Sequence, residues 1–248
     1  MTVFFIGAGP GDPELITVKG QRLIRHCPVI LYAGSLVPAV VLEGHRAEQV
    51  VNSAELNLEQ IIGLIKVAHA KGQDVARVHS GDPSLYGAIG EQIRHLRALG
   101  IPFQIIPGVT AVAACAALLE TELTLPDIAQ SVILTRYADK TTMPAGEAFA
   151  SLASHGTTMA VHLGVNHLEK IVAELLPHYG ADCPIAVVHR ATWPDQDWAL
   201  GTLADIAGKV AAKGFRRTAL ILVGRVLASD SFSESSLYRA GHAHLYRP

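Results

Sequence analysis

The sequence predicts an α/β fold with two successive α/β domains, and three observations lead to this prediction. Apolar segments rich in β-forming residues alternate with helical patterns along the whole chain. Turns that contain glycine or proline follow several apolar segments, as at Gly7–Pro13, Ser80–Pro83 and Pro107–Thr110. With 248 residues, of which 50% are hydrophobic and 17% are charged, the chain can form two hydrophobic cores.

The first half of the chain predicts repeated alternation of strand and helix. Asn57 is placed to cap one helix, with Gln60 as its capping-box partner and Lys71–Gly72 as its end. The predicted strands are Thr2–Gly7, Val29–Tyr32, Asp74–His79 and Pro102–Ile106, and the other predicted helices include Thr17–His26 and Tyr86–Leu99. Because helices separate these strands, we expect a parallel, right-handed sheet that is covered on both faces.

The second half of the chain begins a new series after a predicted linker. Residues 120–130 interrupt the alternation with acidic residues, threonines and Pro126, so we predict domains at residues 1–119 and 131–248. The predicted strands here are Ser131–Arg136, Thr157–Leu163, Pro184–His189 and Thr218–Gly224, and the predicted helices are Gly146–Ala153, Asn166–Leu176 and Gly201–Ala212. Short loops that are compatible with hairpins favour a mixed sheet in this domain.

Composition and charge exclude several classes of function. The net charge of −2 provides no overall attraction for nucleic acid or for an anionic membrane. Cys27, Cys115 and Cys183 are far apart and form no C-x-x-C pair, which favours reduced thiols in the cytoplasm over disulfides or a zinc site. The longest weakly polar run, residues 109–119, is shorter than the ~20 residues of a membrane span. We therefore expect a soluble protein with no metal, nucleic-acid or membrane partner.

The opening turn, Gly7–Pro13, first suggests a dinucleotide or phosphate site. A glycine turn between a strand and a helix presents backbone N–H groups to an anionic ligand. However, Asp12 stands where the Rossmann fingerprint requires its third glycine, and Ala33–Gly34 stands where an acidic residue is expected. No Gly-Lys-Ser/Thr triplet of a Walker loop occurs in the sequence. The pattern therefore argues against a dinucleotide and leaves a tight structural turn as the alternative.

Two further turns lie directly after predicted strands, at Ser80–Pro83 and Pro107–Thr110. Alone, Ser80–Pro83 is better explained by a common structural turn, and the alternative for Pro107–Thr110 is the start of a tightly packed helix of small residues. Because the carboxyl ends of parallel strands form the ligand-binding edge of an open α/β sheet, three such turns together favour a ligand site. A carboxylate at Asp82 suits ribose hydroxyl groups or a cationic group.

Together these stretches resemble the tetrapyrrole methylase family, whose members transfer methyl groups from S-adenosylmethionine. The motifs that carry the resemblance are Gly7–Leu15, Ser80–Pro83 with Tyr86–Gly87, Pro107–Ala111 and Gly201–Leu203. The resemblance covers nearly the whole chain. It implies two α/β domains of the tetrapyrrole methylase type, an active-site cleft between them, S-adenosyl-L-methionine as methyl donor without a metal, and a homodimer.

Other stretches are similar to the branch of the family that methylates C11 of precorrin-4, giving precorrin-5 in cobalamin biosynthesis. These stretches are Tyr32–Val37, Leu134–Arg136, Thr141–Pro144, Glu147 and His155–Met159. The same reaction on cobalt-precorrin-4 remains open, as does a sibling methylase acting on C17, C20 or the uroporphyrinogen ring. A regulatory module that binds an adenosyl compound without turnover is the alternative outside the enzymes.

The resemblance also implies the residues of the site. The residues implied in cofactor binding are Pro10, Gly81, Asp82, Leu85, Thr110, Ala111, Leu163, Ala191, Thr218 and Ala219. Leu163 stands where relatives often have methionine, an exchange that apolar packing tolerates. The substrate bears acetate and propionate groups, for which Arg136 is the best arginine and Ser35 a further polar contact; a surface ion pair is the alternative for Arg136. No catalytic residue is assigned, because in-line methyl transfer depends mainly on alignment and exclusion of water.

Overall fold

The computed structural model describes residues 1–138, 142–144, 146–228 and 232–235. The chain divides into two compact units, one formed by residues 1–114 with 190–195 and the other by residues 115–189 with 196–248. Thr141 of the branch-like stretch lies outside the described residues, and so does the chain beyond residue 235. The domain limits at residues 119 and 131 stay a prediction.

The first unit contains a five-stranded sheet in which every neighbouring pair is parallel, as the sequence predicted. Its strands are β1 (Val3–Gly7), β2 (Val29–Tyr32), β3 (Gln49–Asn52), β4 (Val75–His79) and β5 (Phe103–Ile106). The spatial order is β3-β2-β4-β1-β5. The prediction missed β3, a short edge strand whose residues are mostly exposed and therefore show no apolar run.

The helices of this part of the chain follow the predicted pattern with one correction. They are α1 (Val18–His26), α2 (Leu58–Ala70), α3 (Ile89–Ala98) and α4 (Ala111–Leu118), the last of which contains the limit of the first unit. The capping box of α2 is confirmed, since Asn57 and Gln60 exchange side-chain-to-backbone hydrogen bonds of 2.9 Å. The predicted helix start at Tyr86 is wrong, because Tyr86 (φ 56°) and Ala88 (φ 49°) adopt left-handed backbone conformations.

Helices cover both faces of the first sheet, because successive side chains of a strand point to opposite faces. Val3 and Phe5 of β1 belong to the hydrophobic core that includes Ile65 of α2. Ile6 of the same strand belongs to a separate core with Ile24 of α1. The predicted two-sided covering is confirmed.

The second unit contains a five-stranded mixed sheet, which confirms that prediction. Its strands are β6 (Val132–Arg136), β7 (Thr158–His162), β8 (Pro184–His189), β9 (Asp197–Thr202) and β10 (Ala219–Val223). They lie in the order β6-β7-β10-β8-β9, and only the β6–β7 pair is parallel. The remaining helices are α5 (Phe149–Ala153), α6 (Leu168–Tyr179) and α7 (Ile206–Lys213).

Three predicted helices of the second unit require correction. Gly201 does not open a helix, because Gly201 and Thr202 complete β9, which pairs antiparallel with β8; α7 begins only at Ile206. The other helices also differ at their ends, since α5 begins at Phe149 rather than Gly146 and α6 continues to Tyr179. Within the described part of the chain, no helix combines the length and the apolar character that crossing a membrane requires.

Candidate functional site

The ends of β1, β4 and β5 meet through glycine backbones at the carboxyl edge of the first sheet. A Cβ atom on Gly7 would lie 2.6 Å from the carbonyl oxygen of Gly81, and one on Gly108 would lie 2.1 Å from the same oxygen. Gly9 and Gly81 form a short antiparallel bridge in which the Gly81 N–H donates to the Gly9 carbonyl at 2.7 Å. The three glycine turns therefore lie together, and side chains are excluded where their backbones touch.

Asp82 holds two of these turns together. Its Oδ2 atom accepts a hydrogen bond of 2.8 Å from the Gly108 N–H, and its Oδ1 atom accepts from the Ser84 N–H and hydroxyl. Partial burial acts to raise the pKa of Asp82, but the bonds from Ser84 and Gly108 outweigh it and hold the pKa below its usual value. Asp82 is therefore an ionised clamp, and a ligand that contacts it also meets the turn after β5.

The opening turn is fixed by residues 190–195, which belong to the same unit. The indole Nε1–H of Trp193 donates to the carbonyl oxygen of Pro10 at 2.9 Å, and a Cβ atom on Gly11 would lie 2.3 Å from Trp193 Cδ1. The Asp12 N–H donates to Thr192 Oγ1 at 3.0 Å. These contacts explain why Gly11 is needed in the turn.

Asp12 has a local structural role that accounts for the missing Rossmann glycine. Its side chain accepts from the Glu14 N–H at 2.8 Å and caps a short 3₁₀ helix (Pro13–Leu15). The first helical turn after β1 is thus occupied by a carboxylate rather than left open for a diphosphate. The cap gives a physical reason for the prediction that this turn is not a dinucleotide site, which stays a prediction.

The other predicted cofactor residues of the first unit lie on the same edge. Thr110 accepts a hydrogen bond from the Ala113 N–H at 3.3 Å, so it caps α4, which begins at Ala111. Leu85 lies in the turn after Asp82 and donates its N–H to the Asp82 carbonyl at 3.2 Å. Ala191 is buried between Arg190 (φ 50°) and Thr192 (φ 70°), two residues in left-handed conformations. Such strained backbone is concentrated at functional sites.

A second group of polar residues lies at this edge, and the sequence reasoning missed its central member. Ser35, the predicted substrate contact, lines a cavity of about 310 Å³ together with Ser53, Arg77 and Gln92. Arg77 lies within β4 and is only 5% exposed. Its Nε donates to Gln92 Oε1 at 3.1 Å, and its Nη1 donates to the Leu31 carbonyl at 3.2 Å. The signal in the sequence that could have identified Arg77 is a charged residue within a predicted strand that is mostly apolar.

Arg77 and His79 place two polar side chains in the interior of the first unit. Burial lowers the pKa of Arg77 to about 10, so the guanidinium group remains charged at neutral pH. Burial and the charge of Arg77 lower the pKa of His79 to about 3, so its imidazole is neutral. Among the described residues, no group forms a hydrogen bond with His79 Nε2.

The predicted residues of the second unit share one edge of its sheet. Arg136 ends β6 beside His162, and Leu163 follows β7. The register that pairs Ile221 with Val161 brings Ala219, at the start of β10, to that same edge. Leu163 (φ 56°) and Thr218 (φ 53°) have left-handed backbones, and Leu163 is 69% exposed. Arg136 donates from Nη2 to the Thr142 carbonyl at 3.0 Å.

Comparisons with known sequences identify the family. The family model for tetrapyrrole (corrin/porphyrin) methylases matches residues 2–207. A precorrin-4 C(11)-methyltransferase of Pseudomonas aeruginosa is 73% identical over 248 residues, which cover 100% of this chain and 99% of the relative. A cobalt-precorrin-4 C(11)-methyltransferase of Methanocaldococcus jannaschii is 48% identical over 247 residues, covering 99% of this chain and 95% of the relative.

Solved structures agree with the sequence comparisons. A cobalt precorrin-4 methyltransferase described as a cobalamin biosynthetic enzyme superposes with a TM-score of 0.89 and 40% identity, covering 92% of this chain and 96% of that one. A uroporphyrin-III C-methyltransferase of Thermus thermophilus in complex with S-adenyl homocysteine has a TM-score of 0.73 and 30% identity, covering 92% and 99%. These matches confirm the predicted fold type, and the chain belongs to the tetrapyrrole methylase family.

Proposed function

We propose that this protein transfers a methyl group from S-adenosylmethionine to C11 of precorrin-4, giving precorrin-5 in cobalamin biosynthesis. The observation that carries this proposal is the 73% identity, over the full chain, to a relative named for that reaction. The uroporphyrin-III methyltransferase structure, a sibling within the family, is only 30% identical. The difference in identity favours the C11 branch over siblings that act at other positions.

The glycine contacts of the first unit support the proposed cofactor. S-adenosylmethionine has no phosphate, and the opening turn carries Asp12 where a phosphate-binding loop has glycine. Gly7, Gly81 and Gly108 pack backbone against backbone, which brings the three turns, and the residues proposed to contact the cofactor, together at one place on the sheet edge. The bound sulfonium supplies the electrophilic methyl group.

We assign the binding of this cofactor to the loops that follow the strands. In the first unit we propose contacts from Pro10, Gly81, Asp82, Leu85, Thr110, Ala111 and Ala191. In the second unit we propose contacts from Leu163, Thr218 and Ala219. The backbone strain at Leu163 and Thr218, together with the exposure of Leu163, supports a role in ligand contact for that edge.

The contribution of the chain to methyl transfer is mainly positional. Displacement at a methyl carbon requires the nucleophilic ring carbon, the methyl group and the sulfur to be in line, with water excluded. Asp82 stays ionised because its bonds to Ser84 and Gly108 hold its pKa low, so it can orient a hydroxyl or cationic group but is a poor proton donor. We propose that Arg136 and Ser35 contact carboxylate groups of the substrate.

Cobalt-precorrin-4 is the second candidate substrate, because the Methanocaldococcus jannaschii relative at 48% identity bears that name. Incubation of the purified protein with S-adenosylmethionine and either precorrin-4 or cobalt-precorrin-4 tests both candidates. We expect mass spectrometry to detect one added methyl group with precorrin-4. Faster turnover of cobalt-precorrin-4 than of precorrin-4 would make cobalt-precorrin-4 the substrate instead. Tight S-adenosylmethionine binding with no methyl transfer to either ring would instead support the regulatory-module alternative.

We further propose that the protein is a cytoplasmic homodimer. Cys27, Cys115 and Cys183 are buried free thiols, as expected in a reducing compartment. The dimer follows from the family resemblance. Light scattering of the purified protein should give twice the mass of the 26.3 kDa chain, and a monomer at micromolar concentration would refute this part of the proposal.

A further inference from the structure

We propose that Arg77 forms a carboxylate-binding subsite, in which the cavity at the edge of the first sheet receives an acetate or propionate side chain of the substrate. This inference rests on the proposed function, because it requires a tetrapyrrole that bears carboxylate arms. It concerns a residue buried inside a strand, unlike Arg136, which ends its strand.

Arg77 carries a buried positive charge without a counter-charge. Arg77 is only 5% exposed. Both groups that accept its hydrogen bonds, the Gln92 amide and the Leu31 carbonyl, are nevertheless neutral. Within residues 1–138 and the other described parts of the chain, no carboxylate lies within ion-pair distance of its guanidinium group. A buried charge without a counter-charge is strongly unfavourable, and a bound anion would relieve this.

The guanidinium group of Arg77 has unused hydrogen-bonding capacity. Nε and Nη1 make the two bonds described above, whereas Nη2 donates no hydrogen bond to any described residue. Guanidinium groups bind carboxylates through such paired N–H groups. Arg77 is thus held in place by Gln92 and Leu31 with part of its fork unused.

Arg77 lines a cavity that has room for a carboxylate arm. Its volume of about 310 Å³ is larger than a carboxylate arm requires, and hydroxyl groups of Ser35 and Ser53 also line it. The Ser53 hydroxyl donates its one hydrogen to the Tyr32 carbonyl at 3.1 Å, so it is not available as a donor to a carboxylate. Glu91 is the acidic residue of the lining, and it is exposed. The cavity therefore places one buried cation within a lining of both polar and apolar side chains.

The position of the cavity favours the substrate over the cofactor as the source of the carboxylate. Ser35 follows β2, Ser53 follows β3, and Arg77 lies in β4. In the strand order β3-β2-β4-β1-β5, these residues occupy one half of the edge. Asp82 and the glycine contacts, to which we assign the cofactor, involve β4, β1 and β5.

The decisive variant is Arg77→Met, which removes the charge and keeps a similar volume, an exchange that buried ion sites often tolerate. Arg94→Met, at an exposed position of α3, is the matched control. The probes are uroporphyrin, a stable porphyrin with acetate and propionate arms, followed by fluorescence quenching, and S-adenosylhomocysteine, followed by calorimetry. We expect Arg77→Met to weaken uroporphyrin binding about tenfold or more and to leave S-adenosylhomocysteine binding unchanged.

Each other outcome contradicts a defined part of the inference. Unchanged uroporphyrin affinity in a folded Arg77→Met protein would show that Arg77 is structural only. Weaker S-adenosylhomocysteine binding with unchanged uroporphyrin binding would assign the carboxylate to the cofactor. If Arg77→Met does not fold, Ala54→Glu tests the subsite, because Ala54 also lines the cavity and a glutamate there adds a negative charge. Ala54→Gln is its neutral control. Ala54→Glu should then weaken uroporphyrin binding several-fold relative to Ala54→Gln, and equal affinities would overturn the subsite.

The tests of the subsite and of the proposed function are separable. Uroporphyrin binding requires no methyl transfer, so a loss confined to Arg77→Met would support the subsite even if precorrin-4 is not methylated. Conversely, methylation of precorrin-4 by both the wild type and Arg77→Met with the same KM would remove the subsite and leave the proposed function intact.

Discussion

The two sheets of this protein differ in character at the edges where the predicted site residues lie. In the first unit, backbone touches backbone at Gly7, Gly81 and Gly108, and the charged group beneath the edge, Arg77, is buried. In the second unit, the edge exposes Leu163, and the guanidinium group of Arg136 donates to the Thr142 carbonyl. The comparison teaches that the first edge is held in one geometry by close packing, whereas the second presents side chains that can adapt to a ligand.

The largest expected effect follows from the close packing of the first edge. Gly108→Ala would place a Cβ atom 2.1 Å from the Gly81 carbonyl, so the turn must move and we expect unfolding free energy to fall by about 3 kcal/mol. The matched control is Gly208→Ala in α7, where a Cβ atom meets nothing within 4 Å and helix propensity should add about 0.5–1 kcal/mol. Urea unfolding measures both, and equal stability of the two variants would contradict the proposed rigidity.

The next effect concerns Asp82, the clamp of the first edge. We expect Asp82→Ala to weaken S-adenosylmethionine binding by ~1–3 kcal/mol, because it removes charge-assisted hydrogen bonds and releases the turn at Gly108. Asp205→Ala removes an exposed carboxylate of the second unit that pairs with Lys209, and it serves as the control. Calorimetry with equal affinity for the two variants would show that the cofactor lies elsewhere.

The lowered pKa of Asp82 adds a pH dependence to the same comparison. A carboxyl group with a depressed folded-state pKa contributes stability above its unfolded-state pKa and loses it as pH falls through the folded-state value. The difference in unfolding free energy between wild type and Asp82→Ala should therefore be constant at neutral pH and shrink below about pH 4. A difference that instead shrank between pH 6 and pH 8 would contradict the assignment of the ionised form.

A smaller effect is expected at the second edge. Arg136→Ala should raise the KM for precorrin-4 several-fold and leave S-adenosylhomocysteine affinity unchanged, because a half-buried arginine that solvent still reaches contributes about 1 kcal/mol to an ion pair. The comparison with Arg77→Met tests whether buried charge contributes more than surface charge. Steady-state kinetics at saturating methyl donor measures the effect, and a loss of cofactor affinity would refute the role of Arg136.

The sequence predicted what local patterns determine and missed what distant contacts determine. The capping box of α2 and the buried strands of the first sheet could be predicted, because each depends on a few adjacent residues. The edge strands β3 and β9 were not predicted, because their partly exposed residues form no continuous apolar run. The left-handed backbone at Tyr86 and the bond from Trp193 to Pro10 depend on tertiary packing, the latter between residues 183 positions apart.

The site shows the same division. The glycine turns were recognisable as motifs, but the motif at Asp82 gave no indication that its carboxylate also holds the Gly108 N–H. The sequence shows Arg77 between apolar residues of a predicted strand, but it does not show the partners of its side chain. Its neutral partners, Gln92 and Leu31, are brought beside it only by the packing of α3 and β2.

The smallest expected effect would sharpen the contrast between the edges. Leu163 is largely exposed, so Leu163→Met exchanges one adaptable apolar side chain for another and should change unfolding free energy by no more than about 0.5 kcal/mol. S-adenosylhomocysteine affinity should stay within about threefold of wild type, since apolar exchanges of similar volume are well tolerated. Thermal unfolding and calorimetry measure the two quantities. A large loss in either would mean that the second edge is as rigidly packed as the first, because only a fixed pocket would distinguish these two side chains.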